Sequence, residues 1–176
     1  MRIAVFCSCS RDISPTFLAE AELVGQILAE EGHDIVYGGA DGGCMGAVAR
    51  GALSRRGKLI GVVPQMDFMD GRVQEGLTEQ HVVPTLSSRK TVMIEQADAF
   101  LVFPGGLGTL DEALEVMALK AVGSVRQPLV FYNYLGVWSP FLESLELLVQ
   151  QKLIRQSLDG VLEVLDKPEQ LREHFK

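Results

Sequence analysis

Seven short apolar runs, each opening into a polar or glycine-rich loop and most leading on into a helical pattern, constrain this chain more than any other feature. Residues 3–7 are continuously apolar and end in Ser8-Cys9-Ser10, as expected of a strand buried on both faces. Ser14-Pro15 then starts a helix, with Phe17, Ala21, Val24 and Leu28 on one stripe and Gly32 as its stop. A second strand at 35–37 leads into the glycine cluster 38–46 and a helix of small residues through Leu53. The third strand, 59–63, is stopped by Pro64. The polar stretch 65–80 reads as a surface excursion. Strands at 81–83 and 99–103 flank a helix over 88–97. A helix over 110–122, a strand at 129–132, a helix from Ser139-Pro140 through Val149, a strand at 161–165 and a helix from Pro168 complete the pattern.

Strands alternating with helices require crossovers that pack back on the sheet. The expected fold is therefore α/β, a Rossmann-like doubly wound parallel sheet with helices on both faces. A chain of 176 residues, 47% hydrophobic, is expected to form one domain over 1–176. A strand order of 3-2-1-4-5 would open a crevice between the first and fourth strands. The loops 8–12, 85–90 and 104–109 would meet there. The helix over 110–122 is apolar nearly all round, which points to a homodimer. The formal charge of −7 argues against nucleic acid or anionic lipid as a partner. Three cysteines and no signal or membrane-spanning stretch point to a reducing, cytoplasmic setting.

The segment Pro104-Gly105-Gly106-Leu107-Gly108-Thr109 joins a buried strand to a helix, so its amides suit a phosphate. It is not a dinucleotide fingerprint, because the loop after the first strand lacks glycine and the third glycine of the motif is absent. No Walker loop occurs either, since Gly57-Lys58 precedes Leu59. Thr109-x-x-Glu112 reads first as a capping box, although it also puts a carboxylate beside the phosphate loop. Arg89 and Lys90, expected in the first turn of their helix, oppose its dipole unless an anion offsets them; the alternative is that both extend into water. The 38–46 loop serves either ligand access or close packing of strand and helix. Cys7 and Cys9 read as packed rather than nucleophilic. His33, His81 and His174 form no metal-binding spacing.

Together these residues resemble the LOG (Lonely Guy) family of cytokinin riboside 5'-monophosphate phosphoribohydrolases, relatives of which carry the label of possible lysine decarboxylases. The resemblance rests on Pro104-Gly105-Gly106-x-Gly108-Thr109-x-x-Glu112, with Arg89-Lys90 and Met93, Tyr37-Gly38-Gly39, Gly43-x-Met45-Gly46 and Val5-Phe6-Cys7. It implies a Rossmann-like homodimer without metal or organic cofactor that releases a free base and ribose 5-phosphate from a nucleotide. It implies Arg89 and Glu112 as the catalytic pair and Gly105, Gly106, Gly108 and Thr109 as the phosphate holders. Ser8, Ser10, Gly39, Met45 and Lys90 form a secondary substrate-binding set. Departures fall at Leu86-Ser87-Ser88, where the family has Met-His-x, at Ser8 and Ala40, where it has glycine, and at Ala118-Leu119-Lys120-Ala121, where it has Thr-Trp-x-Gln. The last bears on base selectivity, so AMP is the conservative substrate. A carrier module without turnover is the alternative, and a pyridoxal-phosphate lysine decarboxylase is disfavoured because so short a chain leaves little room for its site.

Overall fold

The computed structural model describes residues 1–176, apart from the side chain of Phe68. The strands are β1 (Arg2–Phe6), β2 (Asp34–Tyr37), β3 (Leu59–Pro64), β4 (Glu79–Val83), β5 (Ala99–Val102), β6 (Leu129–Tyr132) and β7 (Glu163–Leu165). The helices are α1 (Pro15–Glu30), α2 (Gly43–Ser54), α3 (Leu86–Gln96), α4 (Leu107–Ala121), α5 (Ser139–Gln150) and α6 (Pro168–His174). One seven-stranded sheet runs in the order β4-β3-β2-β1-β5-β6-β7, and every neighbouring pair is parallel.

The continuous apolar runs are explained by cover on both faces. Ile3, Val5 and Cys7 join one core with residues of α1, α2 and α6, while Ala4 and Phe6 join the other with residues of α3, α4 and α5. Successive side chains of one strand thus enter opposite layers, and neither layer tolerates a polar alternate.

The expected order is corrected at one point. The fourth strand in chain order lies at the sheet edge beside β3, and the neighbour of β1 is β5. The reversal therefore falls between β1 and β5. Helix α3 leaves the edge strand and packs on β3, β2 and β1 before the chain enters β5. That crossing carries the start of α3 over the first three strands. The 65–80 excursion is also less detached than expected, because Met69 is buried and Val73 and Leu77 pack against the core.

Helix starts explain two further differences. Thr85 caps α3 by accepting from the Ser88 amide at 3.0 Å, while Ser88 Oγ accepts from the Thr85 amide at 3.0 Å. This box starts α3 at Leu86 and moves Arg89 beyond its first three positions. In α4 the N-cap is Gly106, so Thr109 lies inside the helix and the expected Thr109–Glu112 capping box does not form. Glycine offers no capping oxygen, which leaves that helix start bare.

Candidate functional site

A cleft of about 290 Å³ opens at the carboxyl ends of β1 and β5, where the strand order reverses. The structure brings Ser8, Ser10, Met45, Arg89, Gly106, Gly108, Thr109 and Glu112 to its walls. Each arrives by a separate route: the loop after β1, the first turn of α2, the second turn of α3, and the start of α4. Cys7, Cys9 and Leu107 also line it. Cys7 is buried as expected, whereas Cys9 is exposed, because β1 ends at Phe6 and Cys9 lies out in the loop.

The amides of Leu107, Gly108 and Thr109 occupy the first turn of α4, where no preceding helical carbonyl can accept from them. The helix dipole adds partial positive charge at the same place. An anion is the natural occupant.

Arg89 Nη2 donates to Glu112 Oε1 at 2.6 Å, with the side chains 12% and 2% exposed. The guanidinium Nε is buried and has no partner among the described residues. Burial pushes the Glu112 carboxyl up to about 7, Arg89 pulls it back, and the neighbouring Asp111 raises it further. The separation is that of a tight charged pair, while the protonation balance is that of an acid poised near neutrality. Both follow from one cause: the two side chains are nearly buried, so each charge depends on the other. Beneath it, burial holds the Cys7 thiol far above the usual range and thus uncharged.

Three expected residues stand elsewhere. Lys90 does not line the cleft, because its Nζ is held by Asp111 at 2.9 Å and Glu115 at 2.6 Å on α4. Gly39 faces the sheet instead: a Cβ there would lie 2.6 Å from Val63 Cγ2, and its φ of +76° needs glycine. Its neighbour Gly38 is the one that touches the site, since a Cβ there would lie 3.2 Å from Arg89 Nη1 and 3.1 Å from Met45 Cε. Gly105 lines an adjoining apolar hollow of about 280 Å³ with Phe17, Cys44 and Val137, which meets the cleft at Ser8. The rest of the 38–46 loop is explained by packing, for a Cβ on Gly43 would lie 2.4 Å from the Ser10 carbonyl oxygen and 2.8 Å from that of Ser8.

A larger hollow of about 510 Å³ lies between α5 and β7 and gathers Glu146, Asp159 and Glu163. Among the described residues its lining holds no basic side chain to set against those carboxylates, so the β1–β5 cleft, with its guanidinium and helix start, is the better chemical site.

Fold and cleft define a class: a doubly wound α/β protein with an uncapped helix start and an acid–guanidinium pair at its switch point. The sequence model of the family described as possible lysine decarboxylase matches residues 45–175, and the chain belongs to this family, the LOG family. A probable cytokinin riboside 5'-monophosphate phosphoribohydrolase of Oryza sativa subsp. japonica is 32% identical over 96% of this chain and 74% of its own length. A cytokinin riboside 5'-monophosphate phosphoribohydrolase of Rhodococcoides fascians is 35% identical over 82% of this chain and 73% of its own. Among solved structures, the molybdenum cofactor binding protein of Rippkaea orientalis superposes with a TM-score of 0.71 at 24% identity, covering 99% of this chain and 94% of its own. The Moco carrier protein of Chlamydomonas reinhardtii gives 0.75 at 20% identity with the same coverage. These two share the fold.

Proposed function

We propose that this protein hydrolyses the N-glycosidic bond of a nucleoside 5'-monophosphate, giving the free base and ribose 5-phosphate. The observation that carries the reading is the Arg89–Glu112 pair on the floor of a cleft whose rim is the bare start of α4. In this reading the phosphate sits on the amides of Leu107, Gly108 and Thr109, and Arg89 turns its unpaired Nε toward the substrate. Glu112 then faces the ribose and stabilises the positive charge that develops as the bond from C1' to the base nitrogen breaks. Water supplies hydroxide to C1', and its proton leaves with the base.

The phosphoribohydrolase names of the relatives support this reaction class. The departure at Ala118-Leu119-Lys120-Ala121 leaves base preference open to purines generally, so AMP and an N6-isopentenyl AMP are the substrates to compare. Among the described residues no lysine lines the cleft, so the Schiff base that lysine decarboxylation through pyridoxal phosphate requires has no amine there. The protein is also proposed to act as a cytoplasmic homodimer through α4, whose Leu107 and Leu114, with Val122 just after it, are 86%, 44% and 75% exposed.

One observation favours a second reading, a carrier that binds without turnover: the pair is closed on itself, with the acid's oxygen already engaged. Incubation with AMP and chromatographic detection of adenine separates the two. Release that Glu112→Gln abolishes supports hydrolysis. Calorimetric AMP binding with no adenine over long incubation supports the carrier and overturns the enzyme.

A further inference from the structure

The ionic contact between α3 and α4 extends beyond Arg89 and Glu112. The next residue of α3, Lys90, reaches the two carboxylates on either side of Glu112 along α4, Asp111 at 2.9 Å and Glu115 at 2.6 Å. These two are four residues apart, so they lie one above the other on a single helix face, and one ammonium can span them. The lysine side chain is 14% exposed while Asp111 is 63% exposed, so the stem lies along the protein and delivers the charge to α4. Adjacent residues of α3 thus make adjacent contacts to α4, one inside the cleft and one outside it.

We propose that Lys90 is a positioning residue that acts on Glu112 through Asp111 and Glu115, fixing the register in which Arg89 meets Glu112 and screening the cleft carboxyl from its acidic neighbours. The inference rests on reading Arg89 and Glu112 as the working pair. The titratable and charged groups facing Glu112 are Cys7 at the end of β1, Arg89 and Lys90 on α3, and Asp111 on its own helix. Asp111 raises the proton affinity of Glu112, and both Arg89 and Lys90 lower it. Lys90 is therefore the counterweight to Asp111, placed outside the lining of the cleft. A lysine that held the substrate phosphate directly would show itself chiefly as a change in KM.

The test titrates the carboxyl itself by carbon-13 NMR of glutamate-labelled protein, with Glu112 assigned from Glu112→Gln. Lys90→Met is expected to raise the Glu112 midpoint by roughly half a pH unit, and Asp111→Asn to lower it by a similar amount. Lys90→Arg, which keeps the cation, is expected to stay near the unsubstituted protein. Midpoints that do not move, or that move the same way in Lys90→Met and Asp111→Asn, overturn the proposal. Asp111 is mostly exposed, so its variant remains informative even where Lys90→Met folds poorly. In AMP hydrolysis, Lys90→Met is expected to shift the acidic limb of kcat upward in pH. A rise in KM with that limb unmoved assigns Lys90 to substrate instead and also overturns the proposal. Absence of turnover in the unsubstituted protein refutes the hydrolase reading but leaves the carboxyl titration legible, so the two failures are distinguishable.

Discussion

Between Arg89 and Glu112 the acid is the more deeply buried partner, 2% exposed against 12%, although it is the base whose Nε lacks a partner. A pair built in this way stores its electrostatic demand on the carboxylate and its hydrogen-bonding demand on the guanidinium. An arriving phosphorylated sugar that takes the free Nε would share the guanidinium with Glu112, which holds Nη2.

That imbalance sets a pH dependence of stability. Glu112 is pushed up to about 7 in the folded protein, chiefly by burial, and in the unfolded chain a glutamate titrates near its ordinary ~4.3. The fold therefore holds this proton more tightly than the unfolded chain does. Its contribution is fully present below about 4.3 and is lost as the pH rises through about 7. Relative to Glu112→Gln, the protein is expected to lose about 3 kcal/mol across that window. Urea unfolding of both proteins at the two ends checks this. A constant difference between them contradicts it.

The glycines of the 104–109 segment divide by role. A Cβ on Gly105 would lie 2.1 Å from Thr109 Oγ1, whereas Gly106 and Gly108 have nothing within 4 Å. Gly105→Ala is expected to lower the unfolding temperature by several degrees, the effect of about 1–2 kcal/mol of overpacking. Gly106→Ala and Gly108→Ala are expected to unfold like the unsubstituted protein and to bind AMP at least tenfold more weakly, since the added methyl enters the anion's space. Thermal unfolding and calorimetry together decide it, and unchanged AMP affinity in both cleft variants removes the phosphate from this loop.

Cys9 is exposed on the cleft wall while Cys7 and Cys44 are buried. One equivalent of maleimide is therefore expected to enter the native protein, at Cys9, and to abolish AMP binding. AMP present beforehand is expected to slow the reaction. Peptide mapping that places the label on Cys44, or full AMP affinity after labelling, goes against this arrangement.

Association through α4 predicts that Leu114→Glu sediments as a monomer while the unsubstituted chain sediments as a dimer. A monomer in both cases removes α4 as an interface.

Much of this architecture is written locally. The runs at 3–7 and 99–103 are apolar at every position because both faces are covered, and such a run is visible without a partner strand. The position of β4 at the sheet edge is not visible, because a crossover to a near or a far strand uses a similar length of chain. The true start of α4 is hidden because its cap is Gly106, which leaves no side-chain signature, so Thr109 and Glu112 imitate a capping box one turn late. Lys90 lies beside Arg89 in sequence, and only the approach of α4 decides that one faces the cleft and the other Asp111 and Glu115. Gly38 and Gly39 are equivalent to a reader of sequence. The turn of the chain after β2 separates them, sending Gly39 toward Val63 and setting Gly38 against Arg89.

The long reach of α3 from the outermost strand to the middle of the sheet has a consequence for assembly. Until β5 has slotted in beside β1, α4, which follows it, is not held over the sheet, and the guanidinium and carboxylate cannot be joined across the gap. A partly built chain is therefore blind to any ligand that needs both groups. Ligand-linked stabilisation should accordingly arise in a single step with completion of the central strand, so that a phosphorylated nucleotide recognises only finished molecules.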